Sequence, residues 1–365
     1  MKSLGTGGPA RYNEAACAGC AASRALRQPR FYGLPLRDTV ALLVSDFSDV
    51  ALPALPSVPG MTSPSECRYY YWLASSQLTG VGQLVEVGSW LGRSALHLAA
   101  GLESSGKAAT LHCFDGFTWG AGDSRAADLP LRPGDNFQKY FEANVSRFAH
   151  RIAAHRTRIS DIAWKGDPIE LLFLDAPKKH RDITSCLEAF GPSLIPGKSV
   201  IAIQDYLYFP AYALAVGMYV LREHLDLVHV LLDGSTVGFR VTGTIDLQRK
   251  RPADWNPTRW SPAAVNVAWD AILGALPARA RERIEPGRAL HLYDCGARQQ
   301  AVQAIKALPM THFQQKKIAY LAQSHHYLSY PELFTAAGYP GSARQNLLSR
   351  AKRLRDWACG LRAAS

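Results

Sequence analysis

No stretch of this chain stays apolar for the roughly 18 residues that a membrane-crossing helix requires. Its opening, MKSLGTGGPARYNEAACAGCAAS, has no apolar core ahead of a cleavage site. Neither a membrane span nor a secretory signal is therefore expected, and the 7 cysteines are expected to be reduced thiols in a cytoplasmic setting. Cys17 and Cys20 form a lone C-x-x-C with no second pair at zinc-ligand spacing and no strand before it, which argues against a zinc site or thioredoxin-like chemistry. Acidic residues run short in one region only. From Asp246 to Ser365 there are 18 Lys and Arg against 8 Asp and Glu, so this third of the chain carries nearly all of the +11 net charge. Such asymmetry suits an anionic partner or a solvated arginine-rich helix face.

What is present is ordinary globular material. At 365 residues, 47% of them hydrophobic and 19% charged, the chain can bury a sizeable core and hold more than one unit. Composition divides it into an N-terminal extension and linker (1–60, ending ALPALPSVPG), an α/β region (61–245) and a basic helical C-terminal region (246–365). Ser63 precedes Pro64, and Glu66 follows three places on, a capping-box start for a helix.

Between residues 84 and 242, seven apolar runs alternate with helix-like segments: LVEVG, LHCFD, RIAAH, IELLFLD, SVIAIQD, LVHVLLD and TVGFRVT. Helices are expected over 92–103, 136–148, 180–190 and 210–224. Strands separated by helices predict a doubly wound, mostly parallel sheet covered on both faces. The last two runs are separated only by a Gly234-Ser235 turn after Asp233, which predicts an antiparallel hairpin closing a seven-stranded sheet. Beyond 246 the pattern is an all-helical appendage, with helices expected at 262–276, 297–307, 311–321, 330–337 and 342–357.

The stretch LVEVGSWLGRSALHL is a strand, a glycine turn and a helix start. Ligands of open parallel sheets bind at such turns. It lacks the lysine of a phosphate-cradling G-x-x-x-x-G-K-[ST] loop and the middle glycine of G-x-G-x-x-G. A nucleoside with a cationic, amino-acid-like tail suits it better, since Glu86 places an acid beside the turn. The second run ends at Asp115, 29 positions after Glu86, where a carboxylate can accept two ribose hydroxyl bonds or simply begin an Asp-Gly turn. The long segment 116–136, with Phe117 and Trp119, reads as a lid or a surface insertion.

Taken in order, VEVGSWLGRS, LHCFD, IELLFLDAPKKH, SVIAIQDY and the closing hairpin resemble the class I S-adenosylmethionine-dependent methyltransferases, over about half of the chain (61–242). More narrowly, PGMTSPSE and LDAPKKH followed by LIPGKSVIAIQDY are similar to small-molecule O-methyltransferases of the catechol type and of the sugar type found in natural-product and glycan pathways. The resemblance implies S-adenosylmethionine as methyl donor and a small-molecule or glycan hydroxyl as acceptor. It implies Gly88, Ser89 and Gly92 along the methionine part, Asp115 on the ribose, and Ser160 and Asp161 at the adenine edge. Glu86 matches the motif acid and would act through the turn or on the amino group.

The resemblance also implies where transfer occurs. Lys178 stands three positions after Asp175, where catechol-type enzymes carry a lysine general base beside a magnesium-binding aspartate. Sugar-type relatives carry a histidine, and His180 is the nearest here, so Lys178 and His180 both stand as candidate bases. A lysine base requires a depressed pKa. Asp175 and Asp205, 30 positions apart, are the implied Mg²⁺ ligands, although Gln204 brings an uncharged amide where the metal-dependent pattern has an acid. Without a metal, the two aspartates would hydrogen-bond the acceptor hydroxyl directly. Two other functions fit the charge pattern: a nucleic-acid methyltransferase gripping phosphates with the basic helices, and a non-catalytic scaffold. The amphipathic tail would also serve a homo-oligomer.

Overall fold

The structure, a computed structural model, describes residues 47–120, 126, 128–249, 255–308, 330–336 and 338. The Cys17–Cys20 pair and the helices expected at 311–321 and 342–357 lie outside the described residues.

Seven strands form one sheet: β1 (Gln83–Val87), β2 (Leu111–Asp115), β3 (Ile152–Arg156), β4 (Ile169–Leu174), β5 (Val200–Ile203), β6 (Leu225–Val230) and β7 (Val237–Val241). Their order is β3-β2-β1-β4-β5-β7-β6. The first five are parallel, and β7 runs antiparallel to both β5 and β6, as the closing hairpin predicts. The chain winds outward from β1 through β3 and then crosses to β4, so the switch in direction falls between β1 and β4. Open α/β sheets bind their ligands there. The register puts Val87 beside Phe114 on one side and Leu174 on the other. Gly88, Asp115 and Asp175 therefore emerge along a single rim.

Alternation along the strands feeds two cores. Leu84, Leu111, Leu171 and Phe173 face α1 (Pro64–Trp72), α2 (Arg93–Ser105) and α3 (Gln138–Val145), where Tyr70, Leu98 and Phe141 are fully buried. Val85, Leu172, Leu174 and Ile201 face α4 (His180–Phe190) and α5 (Ala213–Val220). Helix α1 begins as the sequence predicts: Ser63 accepts from the Glu66 N–H, and the Glu66 carboxylate accepts from the Ser63 N–H. The segment expected to be one helix over 210–224 is α5 flanked by two short 3₁₀ turns, Phe209–Ala211 and Arg222–His224.

Past the hairpin come α6 (Pro262–Ala275), α7 (Ala278–Ile284), α8 (Pro286–Asp294), α9 (Arg298–Lys306) and α10 (Pro331–Ala336). Helices α7 and α8 were not among those expected from the sequence, because Pro277 and Pro286 punctuate the stretch. Pro286 in fact starts α8, where its missing N–H costs nothing. These helices have no separate core. Val265, Trp269, Ile284 and Leu290 bury into the same cluster as α5 and β4–β7.

Candidate active site

The turn after β1 is built around Gly88. Its φ of +99° lies in the region that favours glycine, and a Cβ there would run into the Ala176 backbone, with Cα at 2.9 Å. The absence of a side chain lets this turn abut the end of β4. The N–H groups of Asp175 and Ala176 both donate to the Val87 carbonyl at 2.9 Å. In the loop that follows, the Ser89 hydroxyl and the Trp90 indole Nε1 are buried and complete no hydrogen bond. Gly92 caps α2 without any side-chain bond and faces Val145 and Phe141 of α3, so packing as well as the turn requires a small residue there. Buried polar atoms without partners are rare in folded proteins.

Glu86 lies beneath this loop. It is wholly buried and accepts from the hydroxyl of Ser94 in α2 and, at 3.4 Å, from the Cys113 thiol of β2. Burial pushes its pKa up to about 7, against the hydrogen bonds that favour the charged form.

Asp115 ends β2. One carboxylate oxygen accepts from the Trp90 N–H at 3.0 Å and the other from the Phe117 N–H at 2.6 Å, tying the loop after β1 to the loop after β2. Burial raises its pKa, opposed by these backbone bonds. Each oxygen keeps a second lone pair. The Thr157 N–H donates to the Asp115 carbonyl at 2.9 Å, which brings the segment after β3 to the same rim. Ser160 and Asp161 follow in a 3₁₀ turn (Ile159–Asp161), exposed, with the serine hydroxyl on the aspartate at 2.8 Å.

The long 116–136 segment has an ordered base. Thr118 bridges Asn136, Trp119 exchanges backbone bonds with Asp135 and Gly134, and Phe137 N–H donates to the Phe117 carbonyl at 3.0 Å. Phe117 is fully buried, and the Trp119 ring stacks on Trp90 with centroids 6.1 Å apart. The segment is thus rooted directly on the loop after β1.

The ends of β4 and β5 carry the charged groups. Lys178 Nζ lies 3.2 Å from Asp175 Oδ1 and 2.8 Å from Asp205 Oδ2. Gln204, buried beside them, satisfies its amide only with the nitrogen facing Asp175, to which it then donates. Asp205 holds a left-handed backbone conformation, φ +60°. Burial pushes the Asp175 carboxyl up to about 6, with Lys178 pulling the other way. For Lys178, burial acts to lower the pKa, but the two carboxylates overcome it and the pKa is raised. The depressed pKa that a lysine base requires is therefore not found: Lys178 is an ammonium. His180 opens α4 with its ring 5.2 Å from that of Trp255, whose indole is anchored on Thr184. Lys178 is the residue that bridges the two aspartates.

The donor set does not fit Mg²⁺. The Lys178 ammonium stands between Asp175 and Asp205, and Gln204 turns an N–H rather than an oxygen toward Asp175. Hard cations need converging oxygens with negative charge. Among the described residues no group of three or more His, Cys, Asp or Glu is arranged to hold a metal ion.

Sequence reasoning missed the residues that support this corner. Glu66 showed only its capping role, yet its buried carboxylate also accepts from the Ser235 N–H at 2.9 Å and the Thr236 hydroxyl at 2.8 Å. Ser235 showed only as turn punctuation, and Arg283 only as part of the basic C-terminal region. Nothing local in the sequence links residues 66, 205, 235 and 283.

Residues 85–206 match a family model described as a methyltransferase domain. No curated protein matches the chain. Among solved structures, the O-methyltransferase NovP is similar over 49% of this chain and 78% of its own, at 15% identity and a TM-score of 0.38. The calicheamicin methyltransferase CalS11 is similar over 47% of this chain and 75% of its own, at 17% identity and a TM-score of 0.33. A methyltransferase of Podospora anserina solved with S-adenosylhomocysteine, PaMTH1, is similar over 50% and 80%, at 14% identity and a TM-score of 0.36.

Proposed function

We propose that the chain is an S-adenosylmethionine-dependent O-methyltransferase of the class I type, acting on a hydroxyl of a small molecule or glycan; the match of residues 85–206 to a methyltransferase-domain model supports the reading. The observation that carries the reading is the Asp175–Lys178–Asp205 group, set directly against the Gly88 turn at the sheet's switch point.

The residues present fit the methyl donor. The buried Trp90 indole N–H and the Ser89 hydroxyl above Glu86 offer polar atoms to the donor, Asp115 has lone pairs for two ribose hydroxyls, and Ser160 and Asp161 serve the adenine edge. Gly88 and Gly92 keep the methionine side of the loop clear of side chains, and Glu86 holds the loop from below. When bound, S-adenosylmethionine supplies a methyl group on a positively charged sulfur.

The chain's own groups supply the proton chemistry. A carboxylate with a pKa near 6 is an effective proton acceptor close to neutral pH, whereas an ammonium held by two carboxylates is not. Asp175 therefore takes the proton of the acceptor hydroxyl. Lys178 stays charged and turns a remaining N–H toward the acceptor oxygen, which stabilises negative charge as it develops there. Asp205 holds the ammonium in place. His180 and a divalent metal have no part in this arrangement.

Calorimetric titration with S-adenosylhomocysteine tests the reading. Saturable binding is expected, weakened about tenfold or more in Asp115→Ala, as the loss of hydrogen bonds to a charged group implies. Mass spectrometry of hydroxylated acceptors incubated with protein and donor should then show one added methyl. Unchanged affinity in Asp115→Ala would refute the assignment.

A further inference from the structure

Asp205 does not hold Lys178 unaided. The Ser235 hydroxyl lies 3.1 Å from Asp205 Oδ1 and 3.4 Å from Glu66 Oε1. It has one proton to give, and the shorter contact goes to Asp205. The same hydroxyl accepts from the Asp205 N–H at 3.3 Å. Ser235 thus grips both the backbone and the carboxylate of a residue whose φ of +60° a non-glycine residue seldom adopts. Such conformations persist only where surrounding bonds over-determine them, and they gather at functional sites.

Ser235 is in turn held by two elements from outside the sheet. From α1, Glu66 accepts from the Ser235 N–H and from the Thr236 hydroxyl, which Tyr70 caps with its own hydroxyl at 2.9 Å. Gly234 makes room for this: a Cβ there would sit 2.5 Å from the Glu66 carboxyl carbon. From α7, Arg283 donates to the Leu232 carbonyl at 3.1 Å and to that of Gly234. The β6–β7 turn is therefore clamped by one residue from α1 and one from α7.

We infer that Ser235 is a positioning residue for methyl transfer, orienting Asp205 against the Lys178 ammonium, and that Glu66 fixes Ser235 for that task. The inference rests on the role given above to Lys178 and goes beyond it in assigning two residues that contact neither reacting group. It also gives α1 and α7 a function, since the turn they clamp carries the serine.

Competitive acetylation with acetic anhydride, read by mass spectrometry, tests this without methyl donor or acceptor. Exposed Lys165 is the internal reference. In the wild-type chain Lys178 should react well below Lys165, and Asp205→Asn sets the upper limit of its release. Ser235→Ala should raise the relative rate about three- to fivefold at fixed pH, because a lysine freed from a carboxylate holds its proton less firmly. Ser235→Thr, which keeps the hydroxyl, should restore the wild-type rate, an effect that loss of packing alone would not give. Glu66→Gln should shift Lys178 in the direction of Ser235→Ala. A wild-type rate in Ser235→Ala, or a Ser235→Thr rate equal to that of Ser235→Ala, overturns the role of the serine. A wild-type rate in Glu66→Gln overturns that of the glutamate. Failure here leaves the Asp115→Ala titration unaffected, so the two readings fail separately.

Discussion

Lys178 Nζ lies 2.8 Å from Asp205 Oδ2 and shares its other carboxylate contact with Asp175. A side-chain cation thus stands where the sequence resemblance implies a bound one.

Removing that cation should expose the carboxylates. Lys178→Ala is expected to bind Mn²⁺ weakly at Asp175 and Asp205, visible as loss of the free-ion signal in electron paramagnetic resonance. The wild-type chain should take up none there, and EDTA should leave its affinity for S-adenosylhomocysteine unchanged. Tight metal binding by the wild-type chain would contradict the arrangement.

The proton acceptor should show itself in the pH profile. With Asp175 near pH 6, transfer should rise with pH through about 6 as the carboxyl ionises, then level off. Asp175→Asn should lower kcat by about 100-fold or more and abolish that acid limb, in keeping with the worth of a general base. His180→Ala should keep both the limb and most of the rate. Initial rates across pH 5 to 8, at saturating donor, decide it.

Glu86 makes a prediction about stability. Its pKa in the folded chain, about 7, lies above its ordinary value of 4.5, so the folded state binds the extra proton. The associated stability is fully present below pH 4.5 and is lost as pH rises through 7. Asp175, also raised, acts in the same direction over a lower range. Glu86→Gln keeps an oxygen for Ser94 but cannot ionise, so the decline in stability between those limits should be shallower in this variant. Denaturant unfolding at a series of pH values measures the slope.

Gly88→Ala should be costly on two counts, a positive φ and a collision with the Ala176 backbone. A loss of about 1–3 kcal/mol is expected from backbone strain alone, together with loss of S-adenosylhomocysteine binding. Gly197→Ala, where φ is +79° but a Cβ meets nothing within 4 Å, is the control for the conformational part. Chemical denaturation of both variants separates the two contributions.

Much of the fold was legible from residue order. Asp115 ends its strand and His180 opens its helix where the apolar periodicity places them, and the Ser63 and Glu66 capping pair forms as read. The Gly88 turn was legible too, because a glycine between a buried strand and an amphipathic helix is a local signal. The charged corner was legible only in part. Asp175 and Lys178 are three residues apart and visible together, but the meeting of Lys178 with Asp205 depends on β4 and β5 lying side by side.

Local sequence determined the alternation of strands and helices, the antiparallel close of the sheet and the identity of the loop at Gly88, since each depends on residues within a few positions of one another. Tertiary structure alone decided that Lys178 bridges Asp175 and Asp205, because only the assembled sheet brings both carboxylates within 3.2 Å of its ammonium group. It alone joined Glu66, Asp205, Ser235 and Arg283 at one turn. Hydrogen bonds between side chains up to 170 positions apart leave no periodic trace in a sequence, and form only when packing has already brought their elements together.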